Sequence, residues 1–357
     1  MYRFLAKVLA LPPYLKLKSS YEKKINLLFK EKRRLANSLE EREGIADAWH
    51  IALTHKSDLR KSCRLGVAAV AASVKGYLRG NLFPSKDVLE VGSALEEIVN
   101  GADIEDEAED NPKIRKNLKL YKAYKRCAKL LIEDGESCLE RMGVKEEYMQ
   151  GKKAVREGQL IDQKFGRLLK QGKFEEVIKK KDEFWRGWQQ KIGCKGIAYW
   201  LPRIVYDSFG GRDKHEKECI ASHLGNCGQI WQIGDDAKDF IQDVKAFDDP
   251  FAELVPPNSI VIKALAKGMP PPKNSQDVIR WIGKNFDVVK DLYKDWKKIA
   301  GASLEICELE NISYLCYYQG ALDMVSHLAK RRISGLKSRL FWMDFWREKI
   351  PLETKLL

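Results

Sequence analysis

Apolar residues recur at helical spacing through nearly the whole chain, and the alternating pattern of a half-buried strand is almost absent. That periodicity restricts the fold to packed helices. Residues 19–50 are rich in Lys, Glu, Arg, Leu and Ala, with Ile25, Leu28, Phe29 and Leu35 at helical positions. The stretch LGVAAVAASVKGYL (65–78) is apolar on most faces and reads as a buried helix. Further helices are predicted over 88–110, 113–142, 153–171, 174–192, 196–209 and 214–243. Breaks fall at Pro84, near Pro112, and at Gly143, Gly172 and Gly210-Gly211. Prolines concentrate in 250–272, which brackets one short helix, SIVIKALAKG, and helices resume near Gln276. No internal repeat is present. A length of 357 residues would by itself suggest two domains, but no linker divides the chain. The expectation is therefore all-α: one helical-bundle domain over residues 1–357, with 1–50 as an N-terminal helical extension.

Composition narrows the partners. The formal charge of +13 favours anions, and nucleic acid, an anionic membrane and phosphorylated small molecules all have the right sign. The eight cysteines include no CxxC pair and the five histidines no HExxH, so the common zinc and thioredoxin-like motifs are missing. Free thiols in a reducing cytoplasm are the simplest reading. At the N-terminus, MYRFLAKVLALPPYLKLK carries an apolar run interrupted by Lys7 and ended by Pro12-Pro13, too short to span a bilayer. No small-residue cleavage site follows it. An amphipathic helix lying on the protein, or weakly on a membrane surface, is expected there.

Two acidic stretches stand out: ADIEDEAED (102–110) and GQIWQIGDDAKD (228–239). Each sets two aspartates four apart, Asp106 with Asp110 and Asp235 with Asp239, so that each pair shares one helix face a turn apart. Like charges at that spacing repel unless a cation lies between them, and magnesium accepts one or two carboxylates together with phosphates and water. A single acidic run in a chain this charged is more often a solvated helix face. The second run differs, because Asp235 and Asp236 follow Ile230, Trp231 and Ile233. Carboxylates on so apolar a helix suggest a polar cavity with apolar walls.

These residues also carry a family resemblance. Ala94-Leu95-Glu96 and Asp106-Glu107-Ala108-Glu109-Asp110 resemble the first aspartate-rich helix, DDxxD, of the trans-prenyl diphosphate synthases (the farnesyl, geranylgeranyl and polyprenyl diphosphate synthases). Ile114-Arg115-Lys116-Asn117 is similar to that family's Leu-Arg-Arg-Gly, and Gly158-Gln159-Leu160-Ile161-Asp162 to its GQxxD. Cys194-Lys195-Gly196 stands where a Lys-Thr pair is expected. Gly228 to Asp239 fits GxxxQxxDDxxD, and Lys61-Ser62-Cys63-Arg64 keeps a Lys-x-x-Arg spacing. The features follow the family's order over roughly residues 60–265.

The resemblance implies an isoprenoid-synthase helical bundle. It implies a homodimer that transfers an allylic prenyl group to isopentenyl diphosphate with about three Mg²⁺ ions per site. Asp106, Asp110, Asp235 and Asp239 would be the metal ligands, with Gln159, Asp162 and Asp236 as possible support. Metals would neutralise the departing diphosphate, and apolar walls would shelter the allylic cation from water. Lys195 would neutralise the leaving group, and the Gln232 dipole would face the cation. Lys61, Arg64, Arg115 and Lys116 would hold the second diphosphate. Ala102 and Gly101, four and five residues before Asp106, would leave a tail channel open, with Glu97 deeper in it. A glutamate facing hydrocarbon is costly, so Glu97 is expected to turn aside or pair with a base. The product implied is of geranylgeranyl length or longer, and Gly101→Phe would be expected to shorten it to farnesyl length or below.

Departures from the pattern concern mostly the second diphosphate site. Leu59-Arg60 replaces two glycines before Lys61, and Val99 replaces a Gln or His. Asn117-Leu118-Lys119 replaces Gly-Lys-Pro, and Asp248-Asp249 stands in place of Gly-Lys, removing a diphosphate-binding lysine. Three readings within the superfamily remain: an elongating enzyme, a class I terpene cyclase derived from one, and a weakly active regulatory subunit. Asp235-Asp236-Asp239 lacks a cyclase's Asn/Ser/Glu triad, which favours elongation. A basic helical protein binding nucleic acid or membrane is the alternative of another class. Acids interspersed along most helices argue against nucleic acid.

Overall fold

The computed structural model describes residues 2–54, 86–190, 199–305 and 326–343. Among them every regular element is helical and no strand occurs. They fall into two compact units. The first takes the described chain up to Met149 together with Trp200–Glu218. The second takes Gln150–Tyr199, Cys219–Leu309 and the described part of the C-terminal segment. The predicted 65–78 helix, Lys61, Arg64 and Lys195 lie outside the described residues. No described helix is long and apolar enough to cross a membrane.

In the first unit, helices Tyr2–Leu35 and Leu39–Thr54 pack with Lys86–Asp110 and Leu118–Arg141. Tyr21, Ile25 and Phe29 form one stripe, Ile45, Ala48 and Ile51 a second, and Ala123, Cys127 and Leu131 a third. All three repeat at the helical period that buries one face. Leu35 departs from its expected place and is exposed, since the helix ends on it. The expected 113–142 helix is two helices, Pro112–Lys116 and Leu118–Arg141. Asn117 divides them: its backbone is extended, and its side chain accepts from the Leu120 N–H. Gly143, at φ 73°, ends the second of the two in the left-handed region open to glycine.

Helices Lys86–Asp110 and Leu118–Arg141 run antiparallel in close contact, and two glycines set their separation. A Cβ on Gly135 would stand 2.7 Å from the Ala94 carbonyl oxygen. One on Gly101 would stand 3.0 Å from the Ala128 oxygen and 2.6 Å from Ile132 Cγ1. Gly101 therefore serves the packing of these two helices, at the position where a tail channel had been expected. The reason is angular: at about 100° per residue, position i−5 lies about 140° round from Asp106, whereas Ala102 at i−4 stays on its face.

The second unit is built on helices Lys145–Lys170 (from Gln150), Lys181–Gln189, Lys214–Lys245 (from Cys219), Ser259–Ala266, Ser275–Lys284 and Asp287–Glu305, with the helical segment 326–343. Phe165, Phe184, Trp188, Ile230, Ile233 and Phe240 are central to its core. Each fully buried side chain of this size contributes roughly 1.5–3 kcal/mol. Gly158, the glycine of the GQxxD-like stretch, lets Lys145–Lys170 approach Lys181–Gln189. A Cβ there would meet the Gly187 carbonyl at 2.9 Å. The expected 174–192 helix is divided at Lys180 into Phe174–Lys179 and Lys181–Gln189.

Candidate active site

The first acidic helix sorts its carboxylates by face. Glu105 and Glu109 turn toward Leu118–Arg141, where Lys125 Nζ donates to them at 2.5 and 3.1 Å and Tyr121 Oη donates to Glu109 at 2.9 Å. These two bonds hold the Glu109 carboxyl below its ordinary range. Glu107 accepts from Asn111 Nδ2 at 2.7 Å. Asp106, one residue round from Glu105, is exposed. The backbone puts Asp110 one turn beyond it on the same face, and the Asp110 side chain lies outside the described residues. Arg115 and Lys116 follow on the short Pro112–Lys116 helix, both exposed, with Ile114 buried as its anchor.

Glu97 is fully buried on the same helix and is paired with Lys24 from the Tyr2–Leu35 helix. Lys24 also lies 3.0 Å from Asp134. Burial pushes the Glu97 carboxyl up to about 8; Lys24 opposes that rise, and Asp134 adds to it. The folded protein thus keeps this proton to higher pH than the unfolded chain. Stability from this group is full below the ordinary glutamate range and is lost as pH rises through about 8. Melting curves from pH 5 to 8 should show a loss on the order of 3 kcal/mol, and Glu97→Gln should remove most of that slope. An unchanged slope in the variant would mean that another group titrates.

The second acidic helix, Lys214–Lys245, gives adjacent aspartates opposite surroundings. Asp236 is buried, and both its oxygens are taken by protein donors. Gln232 Nε2 bonds Oδ1 at 2.9 Å; Trp188 Nε1 and the Ser259 N–H each bond Oδ2 at 3.1 Å, and the Ser259 hydroxyl donates to it as well. Its own carbonyl accepts from Asn258 Nδ2, which also bonds Asp243. Asp236, expected as possible metal support, holds three segments of the unit together. Asp162 joins it at a cavity of about 240 Å³ that Asp243 and Asn258 also line. Gln159 is exposed one turn earlier on the Asp162 helix.

Asp235 and Asp239 point elsewhere and are partly exposed. Burial of Asp235, and then the nearby Asp239, raise its carboxyl above the usual range against the pull of Arg332. Arg332 Nη1 donates to Asp235 Oδ1 at 2.9 Å, and its guanidinium lies 4.4 Å over the Trp231 ring. Arg339, two turns along the same segment, donates to the Ala237 and Lys238 carbonyls.

Sequence reasoning missed Arg332, which lies 97 residues from Asp235 in a helix without a motif. It also missed the clamp on Asp236, although Asn258 ahead of an apolar run is a legible helix cap. Asp248, the first of the two residues standing in place of Gly-Lys, accepts from the Ser275 N–H at 2.9 Å and from its hydroxyl. It thereby fixes the start of Ser275–Lys284. Lys245 nearby is exposed.

No protein-family model and no curated sequence matches the chain. Solved structures do. Geranylgeranyl pyrophosphate synthetase from Geoglobus acetivorans aligns over 88% of this chain and 98% of its own, at 16% identity and a TM-score of 0.59. Decaprenyl diphosphate synthase from Rhodobacter capsulatus aligns over 89% and 99%, at 13% identity and 0.58. The chain has the isoprenoid-synthase fold. A third structure with this fold, geranylgeranyl pyrophosphate synthase from Corynebacterium glutamicum, is complexed with calcium and isoprenyl diphosphate. It covers 89% of this chain and 96% of its own, at 13% identity and a TM-score of 0.54. On the second acidic helix Asp235 and Asp239 are partly exposed, Asp235 beside Arg332 and Asp239 3.8 Å from Lys238. Among the described residues no three His, Cys, Asp or Glu side chains could hold a metal ion by themselves. Two carboxylates a turn apart match the demand of magnesium, which draws its other ligands from phosphate and water.

Proposed function

We propose that the protein is a magnesium-dependent prenyltransferase that elongates an allylic diphosphate with isopentenyl diphosphate. The observation that carries this reading is the division of labour at Asp235-Asp236-Asp239. One aspartate is buried on protein donors, while the two that share a face are partly exposed and meet, among the described residues, only the side-chain cations Arg332 and Lys238, which a metal could displace. The calcium and isoprenyl diphosphate bound by the C. glutamicum enzyme support the same chemistry here.

Asp235 and Asp239 would hold magnesium, as would Asp106 and Asp110 on the first acidic helix. Bound there, the metal would supply the charge that lets diphosphate depart. The allylic C–O bond breaks with its electrons leaving on the diphosphate. The double bond of isopentenyl diphosphate attacks the cation, and a proton is lost. Arg332 balances Asp235 when no metal is bound, and its stacking on Trp231 keeps the guanidinium beside the carboxylate. The hydrogen bond from Gln232 to Asp236 fixes the amide, so its carbonyl dipole is available to positive charge. Arg115 and Lys116, both exposed, are available to a second diphosphate.

Incubation with dimethylallyl, geranyl, farnesyl and geranylgeranyl diphosphates, each with and without isopentenyl diphosphate and magnesium, tests the proposal. The expected result is diphosphate release with a product one isoprene unit longer, only when both are present. Asp106→Ala is expected to lower turnover about a thousandfold without loss of melting temperature. Release without isopentenyl diphosphate, with cyclised hydrocarbon recovered, would instead make the protein a cyclase. No release from any donor would end the proposal.

A further inference from the structure

Helix Asp287–Glu305 and the segment 326–343 leave a groove of about 530 Å³ between them. Its floor is apolar, formed by Phe286, Tyr293 and Ile333, each nearly buried. Lys290, Lys294 and Lys297 line one wall, and Lys330 and Lys337 the other. On the first helix the three lysines and Tyr293 follow i, i+3, i+4, i+7. On the second, Lys330, Ser334 and Lys337 follow i, i+4, i+7, and Phe341 continues that face one turn on. Arg332 and Arg339, which serve the acidic helix, leave it by another side.

The charge in this groove is poorly balanced. Asp287 lies 2.7 Å from Lys290, but Lys294, Lys297, Lys330 and Lys337 make no ion pair among the described residues. Like charges gathered on facing helices repel, and the carboxylate of Asp287, which feels Lys290, Lys294 and Lys337, offsets only part of that charge. An anion between the walls would relieve that repulsion. Beside the groove, Phe341 and Trp342 are 61% and 51% exposed, and their rings meet edge-on at 5.6 Å. Aromatic rings next to lysines whose stems cover an apolar floor suit the boundary between headgroups and acyl chains. A nucleic-acid groove would offer its aromatics to bases between the phosphate contacts; here the rings lie past the end of the lysine rows.

We propose that this groove and the Phe341-Trp342 pair form a docking face for a bilayer bearing anionic phospholipid headgroups. The lysines meet lipid phosphates, and the two rings enter the interface. The inference does not depend on the proposed activity.

Flotation of the full chain with phosphatidylcholine vesicles, with and without phosphatidylserine, tests it. Binding is expected only with phosphatidylserine, and added salt should weaken it. The combined Lys294→Glu, Lys330→Glu and Lys337→Glu variant is expected to lose at least about thirtyfold in affinity. Phe341→Ala with Trp342→Ala is expected to lose about tenfold. Should the charge-reversed protein fail to fold, the Lys→Gln set at the same positions is expected to show the same loss in smaller measure. Equal binding to both vesicles would overturn the proposal, as would retention of phosphatidylserine binding by the lysine variants. Release by inorganic diphosphate beyond that caused by sodium sulfate of equal ionic strength would assign the groove to a soluble anion instead. Tighter binding to a single-stranded oligonucleotide than to the vesicles would assign it to nucleic acid.

Discussion

Asp236→Ala is expected to lower stability by roughly 3–5 kcal/mol, while Asp235→Asn, one residue away, leaves melting almost unchanged and removes turnover. The asymmetry follows from where the donors are. Removing the Asp236 carboxyl leaves Trp188 Nε1 and the N–H and hydroxyl of Ser259 without their acceptor, and both of those residues are fully buried. Each buried polar group so stranded costs about 1–3 kcal/mol. Ser259 is also the first residue of Ser259–Ala266, so a helix start loosens at the same time. Asp235→Asn removes one partly exposed ion pair with Arg332, worth about 0–1 kcal/mol, and eases repulsion with Asp239. Thermal melts of both variants, with diphosphate release measured at a temperature where both are folded, decide the matter. If Asp236→Ala melts like the parent, the clamp is not what holds this part of the unit. If Asp235→Asn turns over normally, the proposed metal site is wrong.

Much of this architecture was legible because its signals are local. The helical period needs only a dozen neighbouring residues, so the helices 86–110 and 214–245 were placed within two residues of their observed ends. The spacing of Asp235 and Asp239 identified them as partners on one face before any packing was known. Local signals failed where the outcome depends on a distant element. Asp236 reads like its neighbour until Trp188 and Ser259 arrive from other helices. Glu97 could be marked as a problem for burial, but the lysine that answers it comes from 73 residues earlier. Lys180 gave no Gly or Pro to mark the end of a helix there. The glycines show the same limit. Gly143 marks a helix end that any reading of turns would catch, whereas Gly101 and Gly135 sit mid-helix and act through a neighbour.

Gly101→Phe is expected to destabilise the first unit by more than about 3 kcal/mol, and to do so without giving a folded enzyme of shorter product. The first carbon of any side chain at that position would stand 2.6 Å from Ile132 Cγ1 and 3.0 Å from the Ala128 carbonyl oxygen. Ile132 can turn, but the carbonyl belongs to the Leu118–Arg141 backbone and moves only if the helix moves. Overpacking a close contact costs about 1–3 kcal/mol for a few added carbons and more when backbone is displaced. Even Gly101→Ala, which gains up to about 1 kcal/mol in helix propensity, is expected to break even at best. Ala102→Phe is the contrasting case: it is half-buried on the Asp106 face, and the variant is expected to fold. If a prenyl tail runs along that face, Ala102→Phe shortens the product while the melting temperature stays near that of the parent. Melting and product length for the three variants separate the two roles. A Gly101→Phe protein that melts like the parent and makes a shorter product would restore the channel to Gly101 and remove the packing role assigned to it.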